Sequence, residues 1–184
     1  MKTVSTEDQI LAATADLLER EGVAAVTTRA VCQAAGVTAP TLYHHFGDKN
    51  GLMCAVVARG IATFMARKRA NHRTDDALAD LKRSWDGWLA LALERPMLFR
   101  LMVESAQSEP EAHQESFALM KGTVQRLADA GRLATGVEAA ALTFWAATHG
   151  VLSLFMQGTP AAEIKASSEL LFEAVAARLV RPAT

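Results

Sequence analysis

Apolar residues recur along this chain at the three- and four-residue spacing of helix faces rather than in alternation. Ile10, Leu11, Thr14, Leu17 and Leu18 share one face of a first helix, over about Ser5 to Glu21. Thr6 with Gln9 reads as its capping box and Gly22 as its stop. Thr27 caps a second helix, Thr28 to Ala35, with Val31, Ala34 and Ala35 turned inward and Gly36 closing it. Thr38 caps a third, with Pro40 in the first turn, where a missing N–H costs nothing. Asp48 caps a fourth, running from Lys49 through Leu52, Val56, Val57 and Ile61 to about Ala70. After a polar break at Asn71 to Asp75 the pattern predicts helices over 75–95, 96–107, 110–130, 137–157 and 160–181. Pro96 and Pro110 open two of these, and glycine-containing turns separate the later ones. The expectation is an all-α protein of about nine helices.

The third helix carries the chemistry. At about 100° per residue Leu42 and Phe46 point inward together, leaving Pro40, Thr41, Tyr43 and His44 on the opposite half and His45 at the flank. That half holds hydroxyls, a phenol and imidazoles, with no carboxylate. Such groups bond to phosphate oxygens and base edges without repelling a polyanion. Helix, short glycine turn, helix, with small alanines at the approach, is the helix-turn-helix arrangement, whose second helix enters the DNA major groove. Lys49 at the start of the fourth helix adds a charge to a helix end already suited to a backbone phosphate. The basic run Arg67-Lys68-Arg69 reads as a solvated last turn that complements the helix dipole.

Charge supports this division weakly. The net charge is −1, but residues 1–73 hold nine Lys/Arg against six Asp/Glu, and the remainder ten against fourteen. An anionic partner therefore suits the first part only. Cys32 and Cys54 lie in helical patterns and read as buried free thiols in a reducing cytosol. No secretory leader is evident in the polar opening residues. The most apolar stretch, Val137 to Gln157, is interrupted by Glu138, His149 and Gln157, so the expectation is a cytoplasmic protein with no membrane partner.

Thr27-Thr28-Arg29, Ala35-Gly36-Val37, Pro40-Thr41-Leu42-Tyr43, His45-Phe46, and Lys49 with Leu52 together resemble the DNA-binding domain of the TetR family of bacterial transcriptional regulators. The resemblance implies a three-helix DNA-binding domain over 1–51. A helical ligand-binding and dimerisation domain follows over 52–184, the fourth helix (49–70) linking the two. It also implies that Thr28 and Arg29 contact DNA at the start of the second helix. Thr38, Ala39, Pro40, Thr41, Tyr43, His44 and His45 would face the groove or its walls, and Lys49 a phosphate. Ala39 stands where many relatives carry a base-reading polar or basic side chain, so it offers only apolar contact, for instance to a thymine methyl.

In the remaining chain, Trp88, Phe99, Met102, Phe117, Met120, Trp145 and His149 are bulky groups spread over separate helices. They are the candidates for an apolar ligand pocket, although an ordinary core would use the same residue types. His149 shares a face with Trp145 and can serve a ligand or a backbone carbonyl. The run Trp145 to Gly150, with Glu94-Arg95-Pro96, resembles a TetR C-terminal domain type named for its Trp-His-Gly signature, which implies ligand binding and dimerisation. Ile164, Leu170, Leu171, Val175, Leu179 and Val180 give the last helix surplus apolar surface. It is expected to pair with 137–157 across a homodimer.

The function these features imply is a ligand-responsive repressor. It would bind a near-palindromic operator in double-stranded DNA as a homodimer and respond to a small apolar or amphipathic ligand. The rival is a helical enzyme or small-molecule carrier. It lacks a His-Glu-x-x-His run, a P-loop or a recognisable nucleophile motif, so no enzyme activity, metal or cofactor is expected.

Overall fold

The computed structural model describes residues 5–70, 73–105 and 110–182. Among them the helices are α1 (Thr6–Glu21), α2 (Thr28–Ala35), α3 (Ala39–Phe46), α4 (Lys49–Ala70), α5 (Ala77–Glu94), α6 (Pro96–Ser105), α7 (Pro110–Asp129), α8 (Val137–Met156) and α9 (Ala161–Leu179). A 3-10 turn, Val23–Ala25, follows α1, and the one β contact among these residues is an isolated bridge between Leu133 and Val180. The predicted break at Asn71 to Asp75 and the predicted end of the 96–107 helix lie partly outside the described residues.

The chain forms two compact units. The first runs to Phe64 and takes in α6; the second runs from Met65 to Glu94 and resumes at α7. In the first unit, the face anticipated for α1 is the buried one, with Ile10, Leu11, Thr14, Leu17 and Leu18 all in the core. The α1 cap is Ser5, whose Oγ accepts from Asp8 N–H at 3.0 Å, and not Thr6. Two adjacent hydroxyl residues offer the same chemistry, and the extended backbone at Ser5 decides between them.

α6 belongs with α1 because α1 supplies its cap. Pro96 occupies the first position, and the Glu19 carboxylate accepts from the N–H groups of Met97 (3.1 Å) and Leu98 (2.8 Å). Asp16 pairs with Arg95 at 2.8 Å and Asp8 with Arg59. The acids of α1 are therefore largely spent on neighbouring helices. Gly60 lets α4 lie close to α6, since an added Cβ would stand 3.2 Å from both Leu98 methyls and the Met102 sulfur.

In the second unit, α8 packs on α7 and α9, and α5 on α7. The core is built on Leu81, Trp85, Val124, Leu127, Phe144, Val151, Ile164 and Phe172. Trp85 donates its indole N–H to the buried Ser168 hydroxyl at 2.7 Å and meets Phe172 edge to face. By length and composition α8 could cross a membrane, but its Ala140, Ala141, Phe144, Thr148, Val151 and Leu152 are buried within the protein. Of the two cysteines, Cys32 is half-buried, and Cys54 is exposed on α4 rather than buried.

Candidate nucleic-acid interface

Local chemistry sets α2 and α3 in place. Thr27 Oγ1 accepts from Ala30 N–H at 3.2 Å, which starts α2. Gly36 ends it in the left-handed conformation (φ 65°), with Val37 N–H returning to Cys32 O at 3.0 Å. Thr38 then caps α3 through Thr41 N–H at 3.4 Å, and its hydroxyl also meets the Thr41 hydroxyl at 2.9 Å. Val31, Ala35 and Leu42 are buried, which locks the two helices to the unit's core, whereas Ala34 is exposed.

With Leu42 inward, the outer half of α3 is open. Pro40, Tyr43, His44 and His45 are exposed, Tyr43 to 47%, while Ala39 and Thr41 are half-buried. Tyr43 Oη lies 3.2 Å from Thr28 Oγ1, so the phenol bridges the two helices and aligns the start of α2 with the face of α3. Arg29 and Thr38 are exposed beside them. His44 and His45 sit edge to face at 5.5 Å. All ten residues expected to meet DNA thus lie on α2, on α3 with its cap Thr38, or in the first turn of α4. None of those in α2 and α3 has a carboxylate partner among the described residues.

The turn into α4 is tightly bonded. Gly47 (φ 76°) returns its N–H to Tyr43 O and Asp48 to Phe46 O, each at 2.9 Å. Asp48 Oδ1 accepts from Gly51 N–H at 2.7 Å. Part of the helix end is therefore satisfied by the protein's own carboxylate, and exposed Lys49 carries the charge available to a phosphate.

The candidate ligand residues divide between the units. Phe99 and Met102 are buried in the first. Trp88, Phe117, Met120, Trp145 and His149 lie in the second. Trp145 gathers Phe117 (5.3 Å), His113 (5.0 Å) and His149 (4.5 Å) around its ring. His149 Nδ1 is 2.9 Å from Trp145 O, so it satisfies a carbonyl of its own helix, on the surface rather than in the core. Burial and the neighbouring His149 push the His113 pKa down.

Of the basic run that closes α4, Arg67 and Arg69 are exposed, as expected of a solvated last turn, but Lys68 is not. Lys68 is half-buried, with Nζ donating to Ser116 O (2.9 Å) and Oγ (2.7 Å) and lying about 6 Å from the Trp88 and Trp145 ring centres. Arg69 makes a forked pair with Glu115, both bonds 2.6 Å. Both partners lie on α7, more than forty residues away in sequence, and Lys68 is drawn in while Arg69 stays exposed. Neither Ser116 nor Glu115 could be assigned to them from sequence spacing.

A helix-turn-helix whose second helix bares an acid-free face, followed by a separate helical unit, defines a DNA-binding protein with a second domain for other work. Residues 10–56 match the bacterial regulatory proteins of the tetR family, and residues 81–179 match the tetracyclin repressor-like C-terminal domain. The chain belongs to this family and is a DNA-binding transcriptional regulator. Among solved structures it is similar to SmeT, the repressor of the Stenotrophomonas maltophilia multidrug efflux pump SmeDEF. That match has 26% identity, coverage of 97% of this chain and 92% of that one, and a TM-score of 0.70. It shares its fold with a TetR transcription regulator from Haloarcula marismortui (17% identity, 96% and 98% covered, TM-score 0.78). The same holds for a protein from Saccharomonospora viridis solved with choline (17%, 96% and 98%, TM-score 0.81). No protein with a curated description matches the sequence.

Proposed function

We propose that this regulator is a cytoplasmic, homodimeric, ligand-responsive repressor of a near-palindromic operator. The observation that carries the reading is the open outer face of α3, where Pro40, Tyr43 and His44 stand clear of the core opposite buried Leu42. One such helix reads only a few base pairs, so two of them, about 34–36 Å apart, are needed to read half-sites one helical turn apart. Arg29, Thr38, Thr41 and the two histidines supply the polar contacts, Ala39 an apolar one, and Lys49 a phosphate contact.

The second unit supports the dimer. Of the apolar residues expected to be surplus on the last helix, Ile164 and Val180 are buried in the unit's own core, and Leu171, Val175 and Leu179 pack against it. That leaves Leu170 (69% exposed), with Leu142 and Leu154 of α8, for a second copy. Burying these against the same face of a second copy makes a four-helix bundle. The likeness to SmeT supports repression, and choline in the Saccharomonospora protein supports a small-molecule ligand for this domain. Ligand would favour a conformation in which the two reading heads are wrongly spaced, with a coupling of about 1–3 kcal/mol. α4 is the natural lever, being one uninterrupted helix from Lys49 to Ala70.

Selection of bound sequences from a random duplex pool tests this. The expected product is a palindrome whose half-sites are one turn apart, bound with an affinity that falls steeply with salt. Enrichment of nothing, or of a lone half-site, overturns it. Salt-independent turnover of a small molecule would favour the rival enzyme.

A further inference from the structure

The second unit contains a groove of about 440 Å³, within the size range of small-molecule sites. Its charged lining is lopsided: Lys68, Arg69, Arg73, Arg83 and Arg126 face only Asp80 and Glu115. Both carboxylates are already engaged. Glu115 is held by the fork of Arg69, and Asp80 accepts from Arg126 at 2.6 Å, from Arg83, and from the Thr74 hydroxyl at 2.7 Å. Neither is left for Lys68 or Arg73.

Lys68 has the most to gain from an anion. An ammonium has three N–H donors. Two reach uncharged oxygens of Ser116, and no carboxylate among the described residues meets the third. Burial lowers its pKa to about 8, so at neutral pH it is still charged, in a place poor in water. Behind it lies a chamber lined by Trp85, Trp88, Phe144 and Trp145. That chamber is only about 10 Å³, the size of a water site, and it shares Lys68 and Ser84 with the groove. On the other wall, Ala118 and exposed Leu119 of α7 offer an apolar surface inside a cationic groove.

We infer that the ligand of this domain is an organic anion: a carboxylate with an apolar body, its charge neutralised by Lys68 and Arg73 and its body laid along Ala118 and Leu119. This names the ligand class within the regulator reading and rests on it. A cationic ligand would meet a lining of five cations against two carboxylates, both already paired, and a neutral apolar one would bring Lys68 no counter-charge.

Calorimetric titration of the DNA-free protein with octanoate, octanol and octyltrimethylammonium separates these cases, since the three share one apolar body. Octanoate is expected to bind at least about tenfold more tightly than octanol, the worth of one charge-assisted bond, and the cation not at all. Lys68→Met should lower octanoate affinity by a similar factor while leaving octanol unchanged, and Lys68→Arg should retain octanoate binding. Octanol or the cation binding as tightly as octanoate, no binding of octanoate, or undiminished binding by Lys68→Met overturns the inference. Should Lys68→Met lose its helical circular dichroism, the wild-type series and Arg73→Ala decide alone, with the same weakening expected of Arg73→Ala. Because no DNA is present, a failure here is distinct from a failure of the regulator reading. Octanoate that binds yet leaves operator affinity untouched would count against ligand-responsive repression only.

Discussion

Gly51→Ala is the sharpest test of how the α3 face is held. In a helix interior this exchange ordinarily stabilises by about 1 kcal/mol, because alanine loses less backbone freedom on folding. At Gly51 the added Cβ would stand 2.1 Å from the carbonyl oxygen of Phe46 and 3.3 Å from its carbon. That oxygen must retreat by nearly an ångström, and it is backbone, not the free end of a flexible side chain. It also accepts from Asp48 N–H at 2.9 Å, while Gly51 N–H is tied to Asp48 Oδ1 at 2.7 Å. Relief therefore breaks at least one bond of the α3–α4 turn. Overpacking of this kind costs about 1–3 kcal/mol and a lost hydrogen bond about 1 more, so the net expectation is a destabilisation of about 1–3 kcal/mol. Gly87→Ala in α5 is the control: its Cβ would meet nothing within 4 Å, and it should gain about 0.5–1 kcal/mol. Urea unfolding followed by circular dichroism, at one protein concentration, measures both. A Gly51→Ala protein as stable as the wild type would refute the reasoning.

Tyr43→Phe removes an exposed hydroxyl that among the described residues bonds only Thr28, so stability should move by less than about 0.5 kcal/mol while operator affinity falls about tenfold in a gel-shift titration. Unchanged affinity would remove Tyr43 from the interface. Lys49→Ala should weaken binding evenly across sequences and reduce the slope of log affinity against log salt by about 1, measured by titration at several ionic strengths. For Asp80, burial by itself would raise the pKa, but Arg126, Thr74 and Arg83 outweigh it and hold the carboxyl at about 2. The folded pKa lies below the ordinary 3.8, so the unfolded chain binds more protons in this window. Stability from this group is present above about pH 4 and is lost as pH falls toward 2. An acid-unfolding series should therefore be flatter between pH 4 and 2 for Asp80→Asn, which should be less stable than wild type at neutral pH.

What the sequence alone determined is the part of the molecule written in short-range chemistry. The caps Thr27, Thr38 and Asp48 each bond a backbone N–H three residues on, so residue type and spacing suffice to find them. The inward faces of α1 and α3 follow from helical periodicity in the same way, and the acid-free surface of α3 was legible once Leu42 was assigned to the core. Even here Ser5 replaced Thr6 as a cap, because neighbouring hydroxyls differ only in backbone conformation.

Tertiary structure decided everything that depends on partners distant in the chain. Glu19 caps α6 from 79 residues away at Leu98, which draws that helix into the first unit and takes Phe99 and Met102 with it. Trp85 finds Ser168 across 83 residues, and Lys68 finds Ser116 across 48. The groove is likewise a product of assembly. Its cations come from α4, α5, α7 and the segment before α5, and no local pattern says that five of them converge on only two carboxylates. A helix face is specified by the residues within a few turns of it, whereas the balance of charge in a groove is specified by which helices fold against one another.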